Sequence, residues 1–265
     1  MSSTSPATSP FTISRRGKVA IITMEDPPAN AISDAWMTSF HAAIDELLEK
    51  ADCSVLHIRS ALRIFAAGSN LKQTLKRMES PGAKSVQMAR VERLQTLFDR
   101  IESLPMVTFA EIGGAAMGGG MELALSCDLR MVAREAKVGL PEVGLGLVPA
   151  AGGMQRMTNL CGRVVASRLV LGAEAIDGAE ALALGLVQWA VPRAELEDRA
   201  RETADRIAAL PRDALLAAKR CLLRHDGLGN ELDKPAAILD REMSAMLNTN
   251  PETLERVRAF VEKTR

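Results

Sequence analysis

Three consecutive glycines stand directly before an apolar segment that carries a single acid. Gly118, Gly119 and Gly120 are followed by MELAL, in which Glu122 is the one charged residue. Glycines before a helix let a ligand approach the backbone, and the N–H groups of the first helical turn have no partner within the helix. The helix dipole favours an oxygen that gains negative charge at the same end. Glycine runs also serve close helix packing, but next to an acid this run predicts an oxyanion site.

A second acid, Glu142, follows Pro141 in another glycine-rich segment. Two carboxyls in apolar surroundings, close to an oxyanion site, indicate acid/base chemistry. Each acid also has a structural interpretation. A helical glutamate is usually a solvated surface group, although the apolar neighbours of Glu122 leave little room for a solvated face, and Glu142 could cap a short helix.

Composition excludes several classes of protein. Lysine plus arginine and aspartate plus glutamate both count 33, so the net charge is zero, and aromatic residues make up 3% of the chain. A nucleic-acid-binding surface spread over the protein is therefore not expected. No apolar run reaches the length of a membrane span, because Glu122, Asp128 and Arg130 interrupt the best candidate. Residues 1–10 lack the apolar core of a secretory signal, which predicts a disordered tail.

The four cysteines are far apart in the sequence, without a CxxC pair or a histidine at ligand spacing; they are Cys53, Cys127, Cys161 and Cys221. This pattern predicts reduced thiols in a cytoplasmic protein and no metal site. His41, His57 and His225 are equally scattered. We interpret each as an ordinary surface or core residue rather than a catalytic base.

Hydrophobic periodicity predicts an α/β fold with a helical C-terminal part. Predicted strands cover 18–24, 53–59, 107–112 and 129–133. Predicted helices cover 33–50, 84–103, the segment after Gly120, 163–171, 177–184, 193–209, 211–224, 231–247 and 251–263. The order of these elements predicts parallel strands separated by helices in a core over 11–200. A helical region over 201–265 would then follow.

Several segments together resemble the enoyl-CoA hydratase/isomerase (crotonase) superfamily. They are residues 28–32 (PANAI), 65–72 (FAAGSNLK), 118–128 (GGGMELALSCD), 140–156 (LPEVGLGLVPAAGGMQR) and 259–263 (AFVEK). The resemblance implies a crotonase-like spiral of β-β-α units and a helical C-terminal region that builds trimers or dimers of trimers. It also implies an acyl-CoA thioester as substrate, with no metal and no cofactor beyond the coenzyme A of that substrate.

The resemblance further implies a catalytic arrangement. Two backbone N–H groups would hold the enolate oxygen of the thioester, and they map onto Ala67 and Gly119. Glu122 would activate a water molecule, and Glu142 would exchange the proton of the α-carbon. The residues implied to contact the CoA thioester are Ala67, Gly68, Ser69, Asn70, Leu71, Gly118, Gly119 and Lys263.

This resemblance predicts an enoyl-CoA hydratase, which adds water to a trans-2-enoyl-CoA to give a 3-hydroxyacyl-CoA. An enoyl-CoA isomerase is the alternative enzyme, and a non-catalytic acyl-CoA- or RNA-binding member is a third possibility. The basic residues Lys72, Lys76, Arg77 and Lys84 could contact CoA phosphates or RNA, but a solvated helix face is preferred for most of them. Asn70 stands where the family often has aspartate, which leaves the substrate preference open.

Overall fold

The computed structural model describes residues 9–49, 52–224, 251–253 and 255. Its strands are β1 (Phe11–Arg16), β2 (Val19–Met24), β3 (Val55–Ser60), β4 (Val107–Ile112), β5 (Ala116–Met117), β6 (Leu129–Ala133), β7 (Lys137–Gly139), β8 (Ala175–Asp177) and β9 (Trp189–Val191). Six of them form one sheet in the order β1-β2-β3-β4-β6-β9. Strands β2, β3, β4, β6 and β9 are parallel, and β1 pairs antiparallel with β2.

Burial of the central strands explains their sequences. All six residues of β4 are buried, as are the first four of β3. Strands of a parallel sheet that are covered on both faces read as nearly continuous apolar runs rather than as an alternating pattern. The carboxyl ends of parallel strands meet at one edge, where ligands usually bind. The segments that follow β2, β3 and β4 therefore converge there.

A second, smaller sheet joins the segments at this edge. Its order is β5-β7-β8, with β5 parallel to β7 and β8 antiparallel to β7. Isolated bridges tie Ile32 to Ser69 and Ala66 to Ala116. Gly118 N–H, directly after β5, donates to Gly139 O over 2.9 Å. The small sheet thus fixes the backbone just before the glycine run.

The helices are α1 (Asp34–Glu49), α2 (Leu71–Met78), α3 (Ala83–Glu102), α4 (Gly119–Leu125), α5 (Gly153–Leu171), α6 (Gly178–Ala183), α7 (Leu196–Ala208) and α8 (Arg212–Arg224). Ser33 Oγ accepts from Trp36 N–H at 3.1 Å and caps α1. The rings of Phe11, Trp36 and Phe40 pack with centroids 5.0–5.1 Å apart. This aromatic cluster joins α1 to β1.

Most of the long predicted elements are confirmed. Strands occur at 107–112 and 129–133 as predicted, and the helix expected at 84–103 is α3. The sequence did not predict β1, β8 or β9, nor the two antiparallel pairings. Strands of three residues, such as β8 and β9, are too short to show a period. The predicted helix over 177–184 begins at Gly178, because Asp177 ends β8 and caps α6.

Several predictions fall on residues that the structure does not describe. Residues 1–8 of the expected tail and the predicted helix over 231–247 lie outside the described residues, and so do nine of the thirteen residues of 251–263. Within the described part of the chain, no helix has the length and apolar composition needed to cross a membrane.

Arg130, on β6, anchors the end of α4. Its side chain is almost fully buried and donates to the backbone oxygens of Leu186, Ala124 and Cys127. A buried arginine is stabilised only when such acceptors surround it. The same contacts attach α4, which carries Glu122, to the large sheet.

We expect Arg130→Met to lower the free energy of unfolding by about 3 kcal/mol, because three buried carbonyls lose a donor. Arg199→Met is the matched control, since Arg199 is half exposed in α7 and its nearest carboxylate lies 4.0 Å away. Urea unfolding of both variants measures the difference. Equal stability of the two variants would contradict the anchoring role of Arg130.

Candidate active site

A cavity of about 470 Å³ opens at the sheet edge where the loops converge. Residues 67–69 and the start of α4 form one side of it, and α3 forms another. Glu122 and Glu142 both line the cavity, together with apolar side chains such as Leu94. The structure therefore brings the two predicted acids into one site.

Glu122 is fixed by backbone donors. Its side chain is 3% exposed, and Oε1 accepts from Ala151 N–H at 2.8 Å and from Gly153 N–H at 3.0 Å. Position 153 has to be glycine, because a Cβ there would lie 2.6 Å from Glu122 Cγ. Oε1 of Glu122 is thereby held in place, and Oε2 remains available for proton transfer.

Glu142 begins the 3₁₀-helix Glu142–Leu145, directly after Pro141. Its carboxyl group packs against bare backbone, since a Cβ on Gly118 would lie 2.7 Å from Glu142 Oε1. Glu142 Oε2 is buried and has no hydrogen-bond partner among the described residues. A buried polar atom without a partner at a cavity wall suits a bound water molecule or a substrate.

Both acids have raised pKa values, chiefly because they are removed from water. Burial raises the pKa of Glu122 to about 7; the N–H of Gly153 opposes that rise, and the charge of Glu142 adds to it. Burial also raises the pKa of Glu142. A carboxyl with the pKa of Glu122 can both give and take a proton near neutral pH, which is what general acid/base catalysis needs.

Two backbone N–H groups face the cavity without a partner among the described residues, and they belong to Gly119 and Ser69. Gly119 is the first residue of α4, so its N–H has no acceptor within the helix. In the parallel bridge with Ile32, the neighbours of Ser69 make the hydrogen bonds: Ile32 N–H donates to Gly68 O, and Asn70 N–H donates to Ile32 O. The N–H of Ser69 itself therefore points away from Ile32.

The assignment of Ala67 as the second oxyanion donor does not fit the structure. Ala67 N–H donates to Ala29 O over 3.0 Å and is engaged within the fold. Ser69 N lies on the α4 side of the same loop, 3.7 Å from where a Cβ on Gly119 would stand. The segment 28–32 was known from the sequence, but only its pairing with the loop shows which N–H remains free.

The structure also places the other residues that the resemblance implied. Gly68 has φ +88°, and a Cβ there would lie 2.7 Å from Met117 O, so its close approach to β5 requires glycine. Asn70 Oδ1 accepts from Gln73 N–H at 3.1 Å and caps α2, a role that aspartate would also serve. Leu71 is exposed at the cavity rim. Lys263 lies outside the described residues.

Sequence analysis missed one functional candidate, Arg90 of α3. Its side chain lines the cavity while only 6% exposed. Arginine on an amphipathic helix usually belongs to the solvated face, so the sequence offered no signal for this placement. In the part of the chain that is described, no cluster of three or more His, Cys, Asp or Glu side chains could hold a metal ion.

Comparison with known proteins identifies a family. The family model described as enoyl-CoA hydratase/isomerase matches residues 14–265. The chain belongs to this family. A probable enoyl-CoA hydratase of Bacillus subtilis is 38% identical over 193 residues, covering 72% of each chain. A short-chain-enoyl-CoA hydratase of Clostridium acetobutylicum is 30% identical over 253 residues, covering 95% of this chain and 94% of the relative.

Solved structures extend the match to the fold. The crystal structure of an enoyl-CoA hydratase from Bacillus anthracis superposes with a TM-score of 0.86 at 30% identity, covering 96% of each chain. The crotonase-family resemblance and the α/β crotonase fold are therefore confirmed. Trimer formation by residues 201–265 stays a prediction.

The pKa of Glu122 leads to a prediction about stability and pH. Because folding raises this pKa from 4.5 to about 7, the folded state binds a proton that the unfolded state releases. Stability from this group is complete below pH 4.5 and is lost as pH rises through about 7. We expect the free energy of unfolding of the wild-type protein to fall by about 3 kcal/mol over this rise in pH, and that of Glu122→Gln to fall by less. Urea unfolding of both proteins across this pH range measures the difference. Identical pH profiles for the two proteins would contradict a raised pKa of Glu122.

Proposed function

We propose that this protein is an enoyl-CoA hydratase, which adds water reversibly to a trans-2-enoyl-CoA and gives a 3-hydroxyacyl-CoA. The observation that carries the proposal is one cavity in which a buried glutamate, Glu122, and a partly buried one, Glu142, both with raised pKa values, meet two backbone N–H groups that have no partner among the described residues. Relatives named as hydratases support it. Family membership alone is also compatible with an isomerase.

The proposed reaction begins with the thioester oxygen at the N–H groups of Ser69 and Gly119. Glu122 in its anionic form takes a proton from water while the water oxygen bonds to the β-carbon. The carbon–carbon double-bond electrons move toward the thioester, whose oxygen becomes an enolate. Each donor is worth about 3 kcal/mol of transition-state stabilisation in sites of this kind. The positive end of the α4 dipole adds to this effect.

Glu142 completes the addition. In its protonated form it gives its proton to the α-carbon, and the enolate collapses to the thioester. Glu122 then carries one more proton and Glu142 one fewer, so a proton transfer between them or with solvent restores the starting state. The charge of Glu142 helps to raise the pKa of Glu122, so the proton affinity of Glu122 depends on the protonation state of Glu142.

An isomerase needs one carboxyl to move a proton between two carbons, and it adds no water. Here a second carboxyl, that of Glu142, faces the same cavity, and its buried Oε2 has no hydrogen-bond partner in the described chain. This free acceptor favours hydration. A purely acyl-CoA- or RNA-binding role would leave the costly buried carboxyl of Glu122 and the partly buried one of Glu142 without a use.

The state of the protein in the cell and its assembly are also proposals. Large apolar side chains are exposed along α5, with Val164 85% and Leu171 76% exposed. These support a homotrimer or a dimer of trimers, in which such a face would be covered. We further propose a cytoplasmic protein that does not bind nucleic acid, consistent with the zero net charge.

The two glutamates provide the first test of the proposal. Glu122→Gln and Glu142→Gln should each lower kcat for hydration by at least about 100-fold, because each removes one proton-transfer group. Product mass measures the reaction, since hydration adds one water. Glu202→Gln is the control, because Glu202 is 69% exposed on α7 and, among the described residues, pairs only with Arg199 at 4.0 Å.

Migration of the double bond without a change in mass, retained in one glutamate variant, would replace the hydratase by an isomerase. Binding of CoA thioesters without any conversion by the wild-type protein would contradict both enzymatic roles.

The oxyanion donors can be tested one at a time by amide-to-ester replacement in the backbone, which removes a single N–H. At Ser69 the ester should lower kcat by about 100-fold while stability is retained. The matched ester at Ala67 removes the bond to Ala29 O, so it should cost about 1 kcal/mol of stability with kcat largely kept. The opposite pattern would restore Ala67 as the donor.

A further inference from the structure

Arg90 is a buried cation whose hydrogen bonds are incomplete. A guanidinium has five N–H donors in a planar fork. Nη2 donates to Ile32 O at 2.9 Å and lies 3.4 Å from Ser69 Oγ. Nε is buried with no acceptor, and Nη1 has no acceptor among the described residues. Arg90 therefore lines the cavity with part of its fork unpartnered among the described residues.

The charge of Arg90 is equally poorly balanced. Its nearest carboxylate in the described chain is Asp34, 3.9 Å from Nε, half exposed and shared with Arg93 at 3.9 Å. Arg77 is a second cation close enough to repel Arg90, and its own Nε is also buried without an acceptor. Glu122 is attracted to Arg90, but its raised pKa leaves it only partly charged at neutral pH. Arg90 thus lines the cavity without a carboxylate of the described chain at hydrogen-bond distance.

A structural role explains only part of this arrangement. The bond to Ile32 O steadies the segment that pairs with the loop at Ser69, and one N–H is enough for that contact. Burying a cation with unused donors costs free energy unless a ligand supplies the acceptors. A carboxylate does so best, because its two oxygens match two N–H groups of the guanidinium.

We infer that the acyl group of the substrate ends in a carboxylate and that the free N–H groups of Arg90 bind it. The inference rests on the proposed function and narrows its substrate class to enoyl-CoA thioesters with an acidic acyl chain. Arg90 is a specificity-determining residue in this assignment. The remaining cavity wall is mostly apolar, including Leu94, Val91 and Leu147, and would pack the methylenes between the thioester and the carboxylate.

Coenzyme A phosphates are the other possible anions. Arg90 is only 6% exposed and lines the same cavity as Glu122 and Glu142, so the group it meets lies inside that cavity with the reacting carbons. The phosphates lie at the opposite end of the pantetheine chain from those carbons. The acyl carboxylate is therefore the source that the position of Arg90 favours.

The test compares two trans-2-enoyl-CoAs of equal length, one ending in a carboxylate and the other in its methyl ester. Wild-type protein should show a kcat/KM at least about 10-fold higher for the acid, since a bidentate charged pair is worth that much or more. Arg90→Met should lower the ratio of kcat/KM for the acid to kcat/KM for the ester by about 30-fold, whereas loss of the contact with Ile32 O affects both substrates alike. Arg93 is half exposed on the same helix, so Arg93→Met should change kcat/KM for neither substrate.

A higher kcat/KM of the wild-type protein for the ester would overturn the inference. An equal loss of kcat/KM for both substrates in Arg90→Met would also overturn it, because it would show that Arg90 only positions other residues. If Arg90→Met does not fold, Arg90→Gln replaces it in the same test, because glutamine keeps an N–H that can donate to Ile32 O. Calorimetry with the saturated acid and ester thioesters separates this inference from the hydratase proposal, because it needs no turnover. Tighter binding of the acid that is lost in Arg90→Gln supports the inference, and an equal loss of binding for free CoA overturns it in favour of a phosphate contact.

Discussion

The hydrogen bonds from the N–H groups of Ala151 and Gly153 to Glu122 connect every part of the site. They join α4, which follows the small sheet, to the start of α5 across the cavity. The contact requires glycine at 153, just as the packing of Glu142 requires glycine at 118. Both acids therefore lie against bare backbone, where their positions are fixed without help from other side chains.

This packing has an energetic consequence. Removing two carboxyls from water raises the pKa of each, which opposes folding as pH rises. The large sheet with its buried central strands supplies the stability that offsets this cost. A site whose groups are costly to bury and matched to neutral proton transfer is typical of catalysis rather than of passive binding.

The edge of the parallel sheet determines which backbone groups remain free. Segments after β2, β3 and β4 meet there, and their mutual pairing uses the N–H groups of Ile32, Asn70 and Ala67. The N–H groups of Ser69 and Gly119 have no partner among the described residues and face the cavity. Arg90 steadies the same pairing through Ile32 O and adds positive charge next to it. Donor placement and charge thus come from one set of tertiary contacts.

The sequence by itself indicated the family, predicted most of the long strands and helices, and marked the two glutamates as candidate acid/base residues. It could do so because periodicity and motif spacing are local properties. It predicted the strands over 107–112 and 129–133 and placed α3 to within a residue at each end. Short strands such as β8 and β9 lacked a period, and β1 was not predicted. Only the tertiary structure decided that Ser69 rather than Ala67 has a free N–H and that Arg90 is buried. Hydrogen-bond partners and burial depend on segments distant in the chain, such as Ala29 beside Ala67, and no local pattern encodes them.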